Sequence, residues 1–224
     1  MSEHPGNANL PIGAFKPANQ EIGVPRWHSR GYLPHFERAE LIQHVTFHLA
    51  DSMAKEAVER MDTDIRCLPP EKRDAERRKR IQASMDVGHG SCLLRESAVA
   101  GMVQNALLFF DGQRHRLLAW VVMPNHVHVL FQPVNGWTVA KIVASWKKFM
   151  ARKISGNANL LIGAVWHREY WDRYIRDEYH LQQAVKYIDE NPVKAGLAAV
   201  AEDWHWGSAY AQNANQEIGA PRAV

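Results

Sequence analysis

Hydrophobic residues form their longest unbroken run at positions 117–123, and the run stops at Pro124 and Asn125. An apolar stretch resumes directly afterwards, but His126 and His128 now alternate with valines. Because side chains along a β-strand point alternately to opposite faces, this pattern predicts two strands joined by a tight turn. The two histidines would then share one face of the second strand, with Cα atoms roughly 7 Å apart.

Two further segments follow strand-like patterns. Residues 43–49 are rich in β-branched and aromatic side chains and place His44, Thr46 and His48 on one face. Residues 170–175 form a short extended piece later in the chain. The histidines of the first segment are a weaker metal-binding candidate than His126 and His128, because Thr46 lies between them.

Helical patterns fill the intervening sequence. Residues 50–85 consist largely of Ala, Glu, Lys, Arg and Met with a Leu-Pro-Pro interruption at 68–70, which predicts one or two charged helices inserted into the core domain. The basic run at 77–80 could contact nucleic acid or simply face solvent. Residues 97–110 predict a helix capped by Ser97, and residues 138–154 predict another.

In order, these elements are strand, helical insertion, helix, strand, strand, helix and strand. We therefore predict an α+β fold, a ferredoxin-like, split βαβ antiparallel sheet with helices on one face and a further helix near the C-terminus. Residues 28–210 would form this single domain, with the insertion at about 50–90. Residues 1–27 predict a loose N-terminal arm and residues 211–224 a C-terminal tail.

The C-terminal helix is predicted at residues 178–191 from an apolar stripe at helical spacing. The stripe consists of Leu181, Ala184, Val185 and Ile188. Tyr187 lies beside this stripe, and Asn191, four residues later, lies nearly above Tyr187 on the same edge. Pro192 disfavours helical geometry at Asn191, so we expect the helix to end there with the amide free to reach sideways.

The composition is that of an ordinary soluble globular protein, since 46% of the 224 residues are hydrophobic and 23% are charged. The longest apolar run is too short to span a membrane, and the N-terminal residues lack the layout of a signal peptide. Cys67 and Cys92 are the two cysteines, which suits a reducing compartment and gives no cysteine-rich zinc pattern. We therefore expect a cytoplasmic protein without a membrane segment.

The formal net charge of +3 decides little, but residues 138–176 concentrate basic and aromatic side chains. The basic residues there are Lys141, Lys147, Lys148, Arg152, Lys153, Arg168, Arg173 and Arg176. Basic side chains interleaved with tryptophans and tyrosines are typical of surfaces that neutralise phosphates and stack on nucleotide bases. A hydrophobic core beside a solvated basic face would give the same pattern.

Three separated motifs in this chain occur in the order found in one protein family. They are AWVVMPNHVH at 119–128, WDRYIR at 171–176 and YIDENPVKAGL at 187–197. On these motifs the chain, over roughly residues 27–210, resembles the REP-associated tyrosine transposases, which are single-tyrosine HUH transposases. The segment WHWGSA at 204–209 is an imperfect copy of the family's C-terminal tryptophan motif.

The resemblance implies a site and a reaction. His126 and His128 match the HUH pair, Tyr187 matches the nucleophile, and Asn191 matches the polar residue that completes the metal site. The expected ion is Mg²⁺ or Mn²⁺. The family cleaves and rejoins single-stranded DNA beside hairpins of palindromic repeats, through a covalent 5′-phosphotyrosine. A non-catalytic, sequence-specific protein that binds nucleic-acid hairpins is the alternative function.

DNA contacts are assigned to basic residues near the motifs. Arg173 and Arg176 are expected to bind phosphates of the hairpin or of the adjoining single strand, and Lys147, Lys148 and Arg152 are expected to add backbone contacts. The expected partner is single-stranded DNA with hairpin elements, and a homodimer is left open.

Two other side chains compete for roles near Tyr187. Tyr174 is the second candidate for the nucleophile, although its spacing supplies no adjacent amide ligand. His180 precedes Tyr187 by about two helical turns and is a candidate to accept the phenol proton.

One six-residue pattern, Ala-Asn-x-x-Ile-Gly, occurs four times, starting at Ala8, Ala18, Ala158 and Ala214. Repeats this short and this irregularly spaced do not build a repeat architecture. Ala-Asn can be encoded by GCCAAT and Ile-Gly by its reverse complement ATTGGC, so each copy can correspond to a small DNA hairpin in the gene. We predict that the copies derive from substrate elements and lie in loops and termini that tolerate insertion.

Overall fold

The computed structural model describes residues 26–29, 34–37, 41–156 and 165–219. Its strands are β1 (Arg26–Ser29), β2 (Pro34–Glu37), β3 (Gln43–His48), β4 (His115–Val122), β5 (His126–Pro133) and β6 (Trp171–Tyr174). Its α-helices are α1 (Lys55–Arg66), α2 (Pro70–Asp86), α3 (Ser97–Leu108), α4 (Val139–Ser155), α5 (Glu178–Lys194) and α6 (Ser208–Gly219). The strands and helices expected between residues 43 and 155 are present close to their predicted bounds.

Four strands form one antiparallel sheet in the order β4-β5-β3-β6, and β1 pairs with β2 separately. In the register between β3 and β5, Thr46 lies opposite His128 and His48 lies opposite His126. The order and directions are those of the ferredoxin-like, split βαβ sheet, so the predicted α+β fold class is confirmed.

Each face of this sheet carries its own hydrophobic core. On one face, α3 and α4 cover Phe47 and Val129. On the other face, α5 packs through Leu181 and Ile188 against Leu130. The expectation that the helices lie on one face is therefore met by α3 and α4 but not by α5, because the second face of β4 and β5 is also apolar and needs a cover.

The charged insertion is a pair of helices, α1 and α2. They share a small hydrophobic core made of Met61, Ile65, Ile81 and Met85. Trp171 of β6 packs against this core. Arg77 pairs with Asp62 at 2.9 Å, and Arg80 pairs with Glu76 at 2.8 Å. Two residues of the basic run at 77–80 therefore form ion pairs within the helical insertion.

α5 extends further than the sequence predicts. It continues through Pro192 to Lys194 instead of ending at Asn191. Proline cannot donate a backbone hydrogen bond, but the amides of Ala195 and Leu197 bond to the carbonyls of Asn191 and Pro192 and close the last turn beyond it. Asn191 is consequently held inside the helix, not at its free end.

Two smaller predictions also differ from the structure. Ser97 is the first residue of α3, and Glu96 occupies the cap position without a side-chain hydrogen bond. The residues from 211, expected as a tail, continue α6 to Gly219, so the repeat copy that starts at Ala214 lies in a helix within the C-terminal segment. The first three copies, and the predicted arm up to residue 25, lie outside the described residues. No helix in the described ranges is both long enough and apolar enough to cross a membrane.

Candidate functional site

His126 and His128 lie on the same face of β5, as the strand alternation predicts. Their Nε2 atoms are 3.1 Å apart, and both side chains are buried. The valines that alternate with them, Val127 and Val129, point to the opposite face and join the core under α3 and α4. The sheet thus holds two imidazoles with converging nitrogen atoms on the face that α5 covers.

Asn125 fixes the protonation of the first imidazole. Its amide nitrogen donates to the backbone carbonyls of Met85 at 3.2 Å and His89 at 3.1 Å. Its oxygen therefore faces Nδ1 of His126, at 2.7 Å. Because Nδ1–H donates to that oxygen, Nε2 of His126 carries a free lone pair, which points toward His128.

The second imidazole is held from β3. Nδ1 of His128 lies 2.8 Å from Oγ1 of Thr46 and 3.3 Å from Nε2 of His44. These contacts leave Nε2 of His128 facing His126. Thr46 and His44 of β3 are therefore placed to orient His128, in the manner of residues that surround metal ligands.

His48 stands apart from the converging pair. Its Nδ1 atom lies 2.9 Å from the Leu49 carbonyl and also contacts the Ser52 hydroxyl. Its ring stacks between His167 and Trp171. Burial, together with the neighbouring His167, lowers the pKa of His48 to about 3. His48 is consequently a neutral, packed side chain.

Tyr187 approaches the histidines from α5. Its ring centroid is 5.3 Å from that of His128 and 5.8 Å from that of His44. Asn191 is buried one turn later and hydrogen-bonds to the phenol. Burial and the charge of Asp86 raise the pKa of Tyr187 above its ordinary value, and the bond from Asn191 opposes that rise. The phenol is therefore protonated at neutral pH.

The two histidines fit a divalent metal ion. Burial lowers the pKa of His126 to about 3 and lowers that of His128 well below the ordinary value, so both imidazoles are in the neutral form that binds metals. Adjacent ligand atoms around one ion are about 3 Å apart when each bond is about 2.1 Å long, which is close to the 3.1 Å between the two Nε2 atoms. Counting only His, Cys, Asp and Glu, the described residues contain no group of three that could hold a metal. The buried amide of Asn191 is the candidate for a further ligand beside the two imidazoles.

Gln82 and Asp86 lie beside the histidines and are not predicted from the sequence. The amide nitrogen of Gln82 lies 3.4 Å from Nε2 of His128 and donates to Oδ1 of Asp86 at 2.8 Å. Oδ1 of Asp86 is 3.9 Å from Nε2 of His126. The one signal in the sequence is their spacing of one helical turn, which a solvated charged helix would show equally.

The predicted DNA-binding residues lie on different sides of the sheet. Arg173 and Arg176 are exposed, and Arg173 lies opposite His44 in the register of β3 with β6. Burial, and then the charge of Arg173, lowers the pKa of His44 to about 4. Lys148 and Arg152 are exposed on α4, which covers the opposite face of the sheet from α5. Arg173 is thus near the histidines, whereas Lys148 and Arg152 are not.

The structure does not agree with a DNA contact by Lys147. The residue is 3% exposed, and its ammonium donates to three backbone carbonyls. These belong to His167 at 2.6 Å, Arg168 at 3.1 Å and Glu169 at 3.4 Å. Lys147 therefore holds the segment that leads into β6, because a buried ammonium needs acceptors and the carbonyls need donors.

The structure also describes the surroundings of the two competing candidates. Tyr174 lies opposite Gln43 in the register of β6 with β3. Gln43 shares a face of β3 with Val45, so Tyr174 is on the face of the sheet that α3 and α4 cover. His180, near the start of α5, accepts the backbone amide of Arg176 through Nδ1 at 3.3 Å. Tyr174 therefore lies on the opposite face of the sheet from Tyr187, whereas His180 is near enough to His44 to interact with it electrostatically.

Comparisons with known proteins agree with these motifs. Residues 106–191 match the family model described as Transposase IS200 like. A relative from Haemophilus influenzae, whose name assigns it to the REP-associated tyrosine transposases, is 30% identical over 100 residues. A REP-associated tyrosine transposase from Escherichia coli strain K12 is 28% identical over 110 residues. The matches span 41% and 46% of this chain but only 57% and 60% of these relatives.

A solved structure gives an independent comparison of the fold. It is that of a REP-associated tyrosine transposase bound to a REP hairpin, and it matches with a TM-score of 0.52. The match covers 84% of each chain at 20% sequence identity. Identity this low establishes a common fold and nothing further.

Proposed function

The chain resembles the REP-associated tyrosine transposases, and from that premise we propose that it cleaves and rejoins single-stranded DNA beside hairpin elements. The observation that carries the proposal is the position of Tyr187, whose ring lies 5.3 Å from that of His128, next to the converging Nε2 atoms. A hydroxyl nucleophile and a pair of neutral nitrogen ligands are thereby adjacent. Core packing alone would not need this combination.

The proposed reaction is a transesterification at one DNA phosphate. Oη of Tyr187 attacks the phosphorus, and the bond from phosphorus to the 3′ oxygen breaks. The 5′ phosphate becomes esterified to the tyrosine, and the proton lost by the phenol ends on the released 3′-OH. The phosphodiester energy is retained in the phosphotyrosine, so a 3′-OH can later reverse the step and rejoin DNA.

The residues around Tyr187 have separate parts in this proposal. Asn191 positions the phenol through its hydrogen bond, while Asn125 and Thr46 keep the two imidazoles oriented. His126, His128 and Asn191 would hold a divalent ion, Mg²⁺ or Mn²⁺. Such an ion supplies Lewis-acid polarisation of the scissile phosphate.

DNA would approach near β6 and the start of α5. Arg173 and Arg176 are exposed there, and guanidinium groups bind phosphate oxygens well. The solved relative is bound to a REP hairpin, which supports a hairpin as the DNA partner here as well. We further propose that the protein acts in the cytoplasm.

The test is a covalent adduct assay. Single-stranded DNA that contains candidate hairpins, including those of the protein's own gene, is incubated with the protein and Mn²⁺ and then analysed on a denaturing gel. The wild type and Tyr174→Phe should form a protein–DNA adduct, whereas Tyr187→Phe should form none and should still bind the hairpin. An adduct with Tyr187→Phe would refute the assignment. Hairpin binding by the wild type without any adduct would indicate a non-catalytic hairpin-binding protein.

A further inference from the structure

The inserted helices end against the histidine pair, and the last residue of α2 is a carboxylate. Oδ1 of Asp86 is 3.9 Å from Nε2 of His126. Gln82, one turn earlier, donates to the same oxygen at 2.8 Å and lies 3.4 Å from Nε2 of His128. The insertion therefore brings an oriented anionic group to two neutral imidazoles that the sheet supplies.

Without a cation, the position of Asp86 is electrostatically unfavourable. The C-terminal end of a helix carries a partial negative charge, and α2 has no basic residue in its last turn. No lysine or arginine among the described residues forms an ion pair with Asp86, and His126, which does lie within ion-pair distance, is neutral. Lys194 acts on Asp86 only from a longer distance and is paired with Glu190 at 3.0 Å.

A small rotation of Asp86 would let it share an ion with the histidines. With bonds of about 2.1 to 2.2 Å, two adjacent ligand atoms of one octahedral ion are about 3 Å apart. The 3.1 Å between the two Nε2 atoms matches this value, whereas the 3.9 Å between Asp86 and His126 is longer, so the three side chains do not form a metal-holding group until the carboxylate moves toward His126. The Asp86 side chain is 42% exposed, so its torsions can adjust when an ion binds.

The charge of the candidate ligands also favours a contribution from Asp86. Two imidazoles and an amide give a neutral site, and such a site binds Mg²⁺ and Mn²⁺ less well than one with a carboxylate, because these ions prefer charged oxygen ligands. Asp86 is the carboxylate that the three motif residues lack.

We propose that Asp86 is the anionic partner of a divalent ion held at His126 and His128, and that the inserted helices thereby complete the metal site. Gln82 positions the carboxylate through its hydrogen bond. This inference rests on the proposed function, because it requires an ion between the histidines.

The first experiment measures metal binding without DNA. Metal-free protein is titrated with Mn²⁺, and the free ion is followed by electron paramagnetic resonance. The wild type should bind one ion, and Asp86→Asn should bind it about 10- to 100-fold more weakly, as is usual when a group that supports metal ligands is removed. Glu71→Gln removes the same charge from the other end of α2 and should stay within about twofold of the wild type.

A second readout separates metal binding from a purely structural role. Asp86→Asn should raise the melting temperature of the metal-free protein, because it removes an unfavourable charge from the end of a helix. The same variant should show a smaller rise in melting temperature when Mn²⁺ is added. A structural carboxylate would behave in the opposite way, with a lower melting temperature in the metal-free state.

The outcomes distinguish this inference from the function on which it rests. If Asp86→Asn binds Mn²⁺ as tightly as the wild type, the inference is overturned, while adduct formation through Tyr187 is unaffected. If neither the wild type nor His126→Ala binds Mn²⁺, the histidine site itself is refuted. Weak binding by Asp86→Asn, with recovery in Asp86→Glu, supports the carboxylate as the partner of the ion.

Discussion

The side-chain oxygen of Asn125 lies 2.7 Å from Nδ1 of His126. The amide nitrogen of the same asparagine donates to the carbonyls of Met85 and His89, at the end of α2 and just beyond it. Asn125, in the turn between β4 and β5, therefore both orients His126 and holds the end of the inserted helices in place. The consequence is that Asp86 and His126 are positioned through the same side chain.

We expect Asn125→Ala to weaken Mn²⁺ binding by about 10- to 100-fold, because His126 loses the acceptor that fixes its tautomer. Asn125→Asp retains an acceptor, so it should bind Mn²⁺ far better than Asn125→Ala, but repulsion from the Met85 and His89 carbonyls should lower its melting temperature. Asn105→Ala on the exposed side of α3 is the control and should change neither quantity. Equal Mn²⁺ affinity in Asn125→Ala and the wild type would contradict the orienting role.

A second prediction concerns the buried Lys147. Lys147→Met should reduce the free energy of unfolding by about 3 kcal/mol or more, because carbonyls of three consecutive residues lose their donor. Lys148→Met, at an exposed neighbouring position, should change it by less than about 0.5 kcal/mol. Urea unfolding of both variants measures the difference. A specific loss of DNA affinity in Lys147→Met, without a loss of stability, would restore the original assignment of Lys147 to DNA binding.

The sheet could be predicted from the sequence because its determinants are local. The alternation of His126 and His128 with valines fixes the two faces of β5, and the Pro124-Asn125 turn fixes the connection to β4. The spacing of Tyr187 and Asn191 likewise fixes their adjacency on one helix. Each of these relations spans a few residues, and the period of the strand or helix determines it.

The parts of the site that come from elsewhere could not be predicted in this way. Asp86 reaches His126 because α1 and α2 fold back onto the sheet, and nothing in the charged pattern of 50–85 specifies that direction. Lys147 has the same local pattern as Lys148, yet one is buried and the other exposed. The continuation of α5 through Pro192 depends on hydrogen bonds from residues beyond the proline, which a local preference does not include.

The position of Arg173 leads to a prediction about DNA binding. Because Arg173 lies on the face of His44 and Lys148 lies on the opposite face of the sheet, Arg173→Gln should weaken binding of hairpin DNA while Lys148→Gln should not. A plot of log affinity against log salt concentration has a negative slope. For Arg173→Gln this slope should become shallower by about 0.7 to 0.9, as expected for one lost phosphate contact. Equal effects of both substitutions would show that DNA also covers α4.

The packing of His48 predicts how stability depends on pH. Its pKa is about 3 in the folded protein and takes the ordinary value of 6.5 when the chain is unfolded. Between these values the unfolded chain binds a proton at this position that the folded protein does not bind. The contribution of His48 to stability is therefore complete above pH 6.5 and is lost as the pH falls, at about 1.4 kcal/mol per pH unit.

His48→Gln tests this contribution. At pH 8 the variant should be less stable than the wild type, because the stacking on Trp171 and His167 is lost. Toward pH 5 the difference in stability should shrink. Below pH 6.5 the unfolding free energy of the wild type loses about 1.4 kcal/mol per pH unit through His48, and the variant does not have this loss. Urea unfolding in EDTA at pH 5, 6, 7 and 8 measures both curves, with the value at pH 8 isolating the packing loss. Parallel curves would show that His48 is protonated to the same extent in the folded and unfolded states.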